Sequence, residues 1–437
     1  ERPNVILVMA DDLGWGDTGY NGHRVLKTPN LDRMAGEGIR FDRFYSGAPV
    51  CSPTRGSCLT GRHPYRYGVF FANTGHMRKG EITLAEALKT QGYATGHFGK
   101  WHLGTLLPDY SGKGPRRQPE KNYATPGTSG FDEWFSTEYA VATWDPCEEA
   151  NAHGKFDVRN LYWHNGKNIT EGLSGCDSRI IMDKAVPFIR SAAERKRPFL
   201  AVIWFHAPHA PVVAGPEYRR MYARCTDNEQ HYFGCITAMD EQIGRLRKEL
   251  DALGVARNTM LWFCSDNGPE VSAKKRGRHQ GSAGPFRGRK RSLYEGGVRV
   301  PGILVWPARI KEPRVVSIPC STSDYFPTVL DCLGFTMKGQ PEPIDGVSLM
   351  PLIEGKMTER PRPIGFESSR QVSLTDNRYK IYSGKGGKKY ELYDLREDPG
   401  ETNDLATEKP EIVERMKKTL EAWRASCKES LEGKDYE

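Results

Sequence analysis

Residues 4–12 read NVILVMADD. Asn4–Ala10 is a nearly continuous apolar run, the pattern of a strand buried on both faces as in a parallel sheet. It ends abruptly in Asp11 and Asp12. Similar runs recur at 93–99, 198–205, 259–264 and 300–306, and helical periodicity fills the stretches 83–91, 177–194, 235–253 and 323–333. Thr83 is placed to cap the first of these helices. Alternation of this kind predicts an α/β fold, a large mostly parallel or mixed sheet sandwiched by helices, over residues 1–355. Beyond residue 355 the texture changes. Short strand-like runs at 364–367, 379–382 and 390–393 predict a small antiparallel sheet, so 356–437 reads as a C-terminal subdomain. Its closing helix, 411–431, carries Ile412, Met416, Leu420, Trp423 and Cys427 at helical spacing, a stripe that docks on that sheet.

The composition narrows the class. With 437 residues and 38% hydrophobic content, the chain builds a large core, and 10% aromatics exclude general disorder. The longest apolar run, 199–205, is far short of the roughly 18–20 residues of a membrane span. Ten cysteines and the sequon Asn168-Ile169-Thr170 fit an exported protein, periplasmic or secreted, with Cys225–Cys235 and Cys147–Cys176 as candidate pairs by spacing. The net charge of +8 is concentrated: residues 274–291 hold eight Lys or Arg and no acid. Such a run is either a solvated loop or an anion-attracting surface.

In open parallel sheets, ligands bind beyond the carboxyl ends of the strands. Four of these strands end in chemically capable residues: Asp11-Asp12, Lys100-Trp101-His102, His206 to His209, and Ser265-Asp266-Asn267. Capping and turn formation explain any one of them alone, but not all four. Three carboxylates and an amide are hard oxygen donors, suited to Ca²⁺ or Mg²⁺ rather than Zn²⁺. The cations Lys100, His102 and His209, with the basic run, imply an anionic substrate that bridges them to the metal.

Residues 51–62, CSPTRGSCLTGR, resemble the signature of the type I sulfatases, Cys-x-Pro-x-Arg followed by Thr-Gly-Arg. The resemblance extends to Asp11-Asp12, the stretch from Gly99 to Gly104, Ala207 to Pro211, Asp266-Asn267-Gly268, Tyr294-Glu295-Gly296-Gly297 and, late in the chain, Leu392 to Leu395 with Asp398-Pro399. It implies an alkaline phosphatase-like fold and a sulfatase that uses formylglycine. In that family a separate formylglycine-generating enzyme oxidises the motif cysteine, here Cys51. The hydrated aldehyde attacks sulfur with one hydroxyl and expels sulfate with the other, which splits one hard step into two.

Position by position, the resemblance implies a Ca²⁺ ion held by Asp11, Asp12, Asp266, Asn267 and the modified Cys51. Arg55 would stabilise the ionised diol. Lys100 and Lys290 would clamp sulfate oxygens. His209 would be the general acid and His102 the base for the second diol proton. Lys290 is placed by its spacing to Tyr294, with Arg289 and Arg291 as neighbouring alternatives. His206 is the alternative to His209, and both are expected to touch substrate. Cys58 reads as a small buried residue. Asn73 and His76 resemble positions near the pocket in several glycan sulfatases, and either contact substrate or serve the loop.

The stretch from Gly61 to His76 resembles that of N-acetylgalactosamine-6-sulfatases, so the expected substrate is a sulfated carbohydrate, cleaved at a chain end. Neither nucleic-acid binding nor a membrane span is expected. Two other functions remain open: a phosphodiesterase or phosphonate hydrolase of the same superfamily, and a catalytically silent binder of sulfated glycans.

Overall fold

A computed structural model describes residues 2–113, 117–146, 161–271 and 278–436. Five strands carry the centre of the main sheet: β1 (Asn4–Ala10), β2 (Ala94–Lys100), β3 (Phe199–Trp204), β4 (Thr259–Ser265) and β5 (Gly302–Val305). The ten strands run in the order Arg314–Val316, Ile39–Phe41, β5, β4, β1, β3, β2, Glu133–Thr137, Trp163–His164 and Lys167–Asn168. β1 lies parallel to β3 and β4, and β2 parallel to β3, whereas β5 is antiparallel to β4. The sheet is therefore mixed, with a parallel centre.

Register matters most here. Ala10 pairs with Ser265, Met9 with Trp204, and Gly99 with Trp204. The carboxyl ends of β1, β2, β3 and β4 are thus level, and the residues that follow each strand emerge side by side. Both faces of the centre are covered. Ile6, Val8, Ala201 and Ile203 pack under the helices α2 (Asp177–Glu194) and α3 (Asp227–Ala252), while Val5, Leu7, Leu200 and Val202 pack against Leu84, Leu88 and Val329 on the other side. This strict alternation is the period of two of a β-strand.

The structure departs from the sequence expectations in specific places. The signature residues form a helix, α1 (Cys51–Thr60), which no periodicity announced because all ten of its residues are buried. Pro53 sits in its first turn, where the missing N–H costs nothing, and Gly61 ends it with φ 71°. α3 begins at Asp227 rather than 235, because Thr226 and Glu229 form a reciprocal capping box. The 300–306 run is divided: Arg299–Val300 joins a small sheet with Phe44–Tyr45 and Cys320–Ser321 before β5 starts. Cys225 and Cys235 are both free thiols, not a pair. Cys176 is also free, and Cys147 lies outside the described residues.

The second antiparallel sheet has four strands, β6 (Ile364–Ser368), β7 (Gln371–Thr375), β8 (Tyr379–Ser383) and β9 (Glu391–Asp394), paired in sequence order. β7 was not foreseen. Helix α4 (Pro410–Leu431) lays Met416 and Leu420 against Val372, Leu374, Ile381 and Leu392, as its stripe predicts. Lys380, on β8, reaches back toward the main sheet. Its ammonium lies 2.9 Å from both Glu295 and Glu401, and all three side chains are fully buried. Tyr45 also donates to Glu295, at 2.8 Å.

Replacing Lys380 with Met leaves Glu295 and Glu401 buried without their counter-charge. We expect a loss of about 3–5 kcal/mol in unfolding free energy, measured by urea denaturation; a variant as stable as the parent contradicts this account of how the two sheets are joined.

Candidate active site

The level strand ends place their polar residues in one pocket. Asp11 and Asp12 follow β1, and the Asp12 N–H donates to Asp266 Oδ1 at 3.0 Å, joining the end of β1 to the end of β4. Lys100, the last residue of β2, puts Nζ 2.6 Å from Asp11 Oδ2. Gly99, just before it, has φ 105°, and a Cβ there would lie 1.9 Å from the Trp204 carbonyl. Only glycine lets β2 turn Lys100 inward at this point.

Arg55, on α1, is completely buried. It donates to Asp266 Oδ2 at 2.7 Å and to the Lys100 carbonyl at 3.1 Å, lies 3.6 Å from Asp11, and covers the Trp204 ring at 5.1 Å. Cys51 is the first residue of the same helix and is 2% exposed. It therefore sits at the positive end of the helix dipole. Asn267 donates to Asp12 Oδ1 at 2.7 Å, and Lys290 Nζ bridges both Asp12 oxygens at 2.6 and 2.8 Å. Lys290 is held there because its own N–H donates to the Pro269 carbonyl, while Gly268 lets the chain pass so close to Gly296 that a Cβ would meet its carbonyl at 1.9 Å. The neighbours turn elsewhere: Arg289 donates to the carbonyls of Glu270 and Gly281, and Arg291 pairs with the Glu270 carboxylate. Of the three, Lys290 is the one that faces Asp12.

These donors fit a hard cation. Asp11, Cys51 and Asp266 each offer a ligand atom within 4.8 Å of the others, as do Asp11, Asp12 and His209. Asp11 Oδ1 and Asn267 Oδ1 are buried oxygens without a hydrogen-bond partner, a costly condition that an oxygen-seeking ion relieves. Burial and the charge of Asp11 raise the Asp266 carboxyl, whereas at Asp12 burial is outweighed by Lys290, His209 and Lys100 together, which hold that carboxyl low.

The histidines divide by their partners. His102 is 3% exposed; its Nε2 donates to Asn73 Oδ1 at 2.7 Å, and its Nδ1 is buried with no partner. Asn73 thus faces His102, and its own N–H donates to Ser52 Oγ at 3.2 Å. His209 donates from Nδ1 to the Ala210 carbonyl at 2.6 Å, which leaves Nε2 3.8 Å from Asp12. Burial, and next the Lys100 charge, push both rings well below the usual histidine range. His206 is different. It is fully buried, with Nδ1 on Asp177 at 2.8 Å and Nε2 on Thr137 Oγ1 at 2.8 Å. Neither nitrogen is left for a substrate, so its expected substrate contact is replaced by a structural role. His76 accepts from Asn122 through Nδ1 at 3.1 Å and is half-buried at the loop that carries Asn73.

The basic run is more structural than its composition implied. Residues 274–276 lie outside the described part, while Arg278 donates to the Val212 carbonyl and Arg287 to Tyr393, stacking on Tyr294. The described aromatics of 134–164 are also largely packing: Tyr162 stacks on Phe135 with centroids 4.1 Å apart, and Trp134 is buried. Sequence reading missed Lys113, Arg117 and Glu138, which border the pocket. No short motif marks them; their proximity comes from the fold.

Comparison with known proteins adds identity to this geometry. The family model for sulfatases matches residues 3–335, and that for the C-terminal region of N-sulphoglucosamine sulphohydrolase matches 284–426. N-acetylgalactosamine-6-sulfatase of Sus scrofa is 36% identical over 401 residues, covering 87% of this chain and 72% of the relative. The crystal structure of Ps i-CgsB in complex with k-i-k-neocarrahexaose superposes with a TM-score of 0.83 at 27% identity, covering 97% of this chain and 93% of that one. The phosphonate monoester hydrolase of Agrobacterium radiobacter, at 21% identity and a TM-score of 0.65, shares the fold. The signature helix opens into a pocket of buried acids and lysines suited to an anionic ester, and with these matches over most of its length the chain belongs to the sulfatase family as a sulfuric ester hydrolase.

Proposed function

We propose that this sulfatase removes sulfate from the terminal sugar of a sulfated glycan, with Cys51 matured to formylglycine and with Ca²⁺ as its metal. The observation that carries the reading is the joint placement of Asp11, Asp12, Asp266 and Asn267 with Lys100 and Lys290 around the start of α1. The relatives support a carbohydrate: one is named N-acetylgalactosamine-6-sulfatase, and one neighbour was solved in complex with k-i-k-neocarrahexaose. Depth supports attack at a chain end, because Asp11, Lys100 and Cys51 are all buried. Maturation requires a formylglycine-generating enzyme, and export to the periplasm or beyond suits a glycan substrate; among the described residues no helix is long and apolar enough to cross a membrane.

Formylglycine at residue 51 would supply a hydrated aldehyde as the nucleophile for covalent catalysis, and Ca²⁺ would supply a Lewis acid. Asp11, Asp12, Asp266 and Asn267 would hold that ion, joined by residue 51. Arg55, fixed by Asp266, offers positive charge beside residue 51. Lys100 and Lys290 take the remaining sulfate oxygens, where charge accumulates in the transition state. His209 delivers a proton from Nε2 to the departing sugar oxygen; the anionic substrate favours the charged ring that burial disfavours. His102 accepts a proton at its bare Nδ1. Asn73 acts through His102: by accepting from Nε2–H it selects the tautomer that leaves Nδ1 free. The phosphonate hydrolase alternative gains nothing beyond a shared fold, and the filled catalytic positions argue against a silent binder. The experiment for substrate is a panel of sulfated mono- and oligosaccharides differing in sugar and sulfate position; faster cleavage of simple aryl sulfates than of every glycan contradicts the carbohydrate reading, and release from internal units contradicts chain-end attack.

Three outcomes follow for the chemistry. Cys51→Ala abolishes turnover while circular dichroism stays that of the parent, since the nucleophile cannot be made; turnover near the parent's contradicts the mechanism. Chelation stops the enzyme, and added Ca²⁺ restores it better than Zn²⁺, because the protein side-chain donors other than residue 51 are oxygens; selective rescue by Zn²⁺ contradicts the metal assignment. Asn73→Leu lowers kcat by about 10- to 100-fold with little change in KM. A rise in KM with kcat intact makes Asn73 a substrate ligand instead.

A further inference from the structure

The cations around the pocket are nearly all committed to partners. Lys100 is on Asp11, Arg55 on Asp266, Lys290 on Asp12 and Arg291 on Glu270. Arg117, fully buried, lies 3.7 Å from Glu138 and donates to the His102 carbonyl at 3.3 Å. Lys113 differs. Among the described residues it forms no ion pair; its ammonium lies 3.7 Å from the centroid of the Tyr139 ring. Yet it is half-buried, and the charges of Lys100, Arg117 and Lys113 all bear on His102. The turn of Lys113 is tied through Ser111 to Glu138, whose carbonyl accepts from the His102 N–H at 3.1 Å, so Lys113 borders the pocket on the His102 side.

We propose that Lys113, braced on Tyr139, is a second anion-binding position at the mouth of the site, which takes a further carboxylate or sulfate of the same glycan whose scissile sulfate Lys100 and Lys290 hold.

This deepens the carbohydrate reading and rests on it. Three features make Lys113 a built position. The Lys113 N–H donates to Ser111 Oγ at 3.2 Å, and Ser111 donates to the buried Glu138 at 2.6 Å. Glu138 is in turn beside Arg117, which is tied to the backbone of His102. The turn that presents Lys113 is therefore anchored to the same residues that set the catalytic histidine. Tyr139 steers the ammonium by a cation–π contact without neutralising it. Burial, and next the nearby Lys100, hold the Lys113 ammonium down to about 8, and the Glu138 carboxylate offsets them only in part. A cation kept half-desolvated beside another cation is an unfavourable arrangement that an incoming anion relieves. The scissile sulfate is already surrounded by Lys100, Lys290 and the metal ligands, so the anion that reaches Lys113 is a second one.

The test measures inhibition of aryl sulfate hydrolysis by three sugars: one singly sulfated and otherwise neutral, one with a second sulfate, and one joined to a uronate. Each is run on the parent, Lys113→Met and Lys113→Arg. The parent binds at least one doubly charged sugar more tightly than the singly charged one. Lys113→Met weakens that sugar by about 10- to 100-fold more than it weakens the singly charged one, and Lys113→Arg keeps most of the preference. The arm that shows the larger loss names the second group. Equal losses for all three sugars, or none, overturn the proposal, as does a parent without preference. Because binding is read against an aryl ester, the two readings separate: if no sugar is cleaved but the preference depends on Lys113, the carbohydrate-hydrolase reading fails and the anion position stands.

Discussion

Asp11, Asp12 and Asp266 bring three carboxylates together in a buried pocket, and everything else in the site follows from how that charge is balanced. In a low-dielectric interior such a cluster repels itself strongly. Arg55, Lys100 and Lys290 each stand against one of its members at 2.6–2.7 Å. The balance is deliberately incomplete in one respect: Asp11 Oδ1 and Asn267 Oδ1 have no hydrogen-bond partner. An oxygen-seeking cation and an anionic ester would complete it together. The positive side chains that neutralise acids in the structure are the ones that face sulfate in the proposed reaction.

Holding this arrangement is the work of the scaffold. Level registers among β1 to β4 bring the acids and Lys100 to one line. Lys290 comes from a loop on the far side of the pocket, and the same segment continues into Glu295, which is locked by Lys380 from the second sheet. The C-terminal strands therefore contribute to the site without entering it. They fix the loop whose lysine reaches Asp12. His206 plays a comparable part from below, tying β3 to α2 through Asp177.

Much of this was legible in the sequence, and the reasons differ by element. Apolar runs such as NVILVMA name their own strands, because a strand buried on both faces leaves no room for polar residues. The oxygen donors at two strand ends, and the lysine and histidines at two more, were readable from topology, since parallel strands deliver their carboxyl ends to one edge. What was not legible depends on contacts far apart in the chain. α1 has no apolar stripe, since every side of it is buried. His206 and His209 are indistinguishable by spacing; Asp177 and Thr137 settle the role of the first. Asn73 pairs with His102 across 29 residues. Lys290 is separated from Arg289 and Arg291 only by the turn that aims each side chain. Lys113 carries no motif at all.

The most direct measurement concerns residue 51 in active protein. Peptide mass spectrometry across positions 51–62, made on preparations matured to different extents, gives the fraction of aldehyde at Cys51, and aryl sulfate hydrolysis gives the activity of the same samples. The account predicts activity proportional to the aldehyde fraction, with none from chains that keep the thiol. Full activity in a preparation whose Cys51 is entirely unmodified would contradict it.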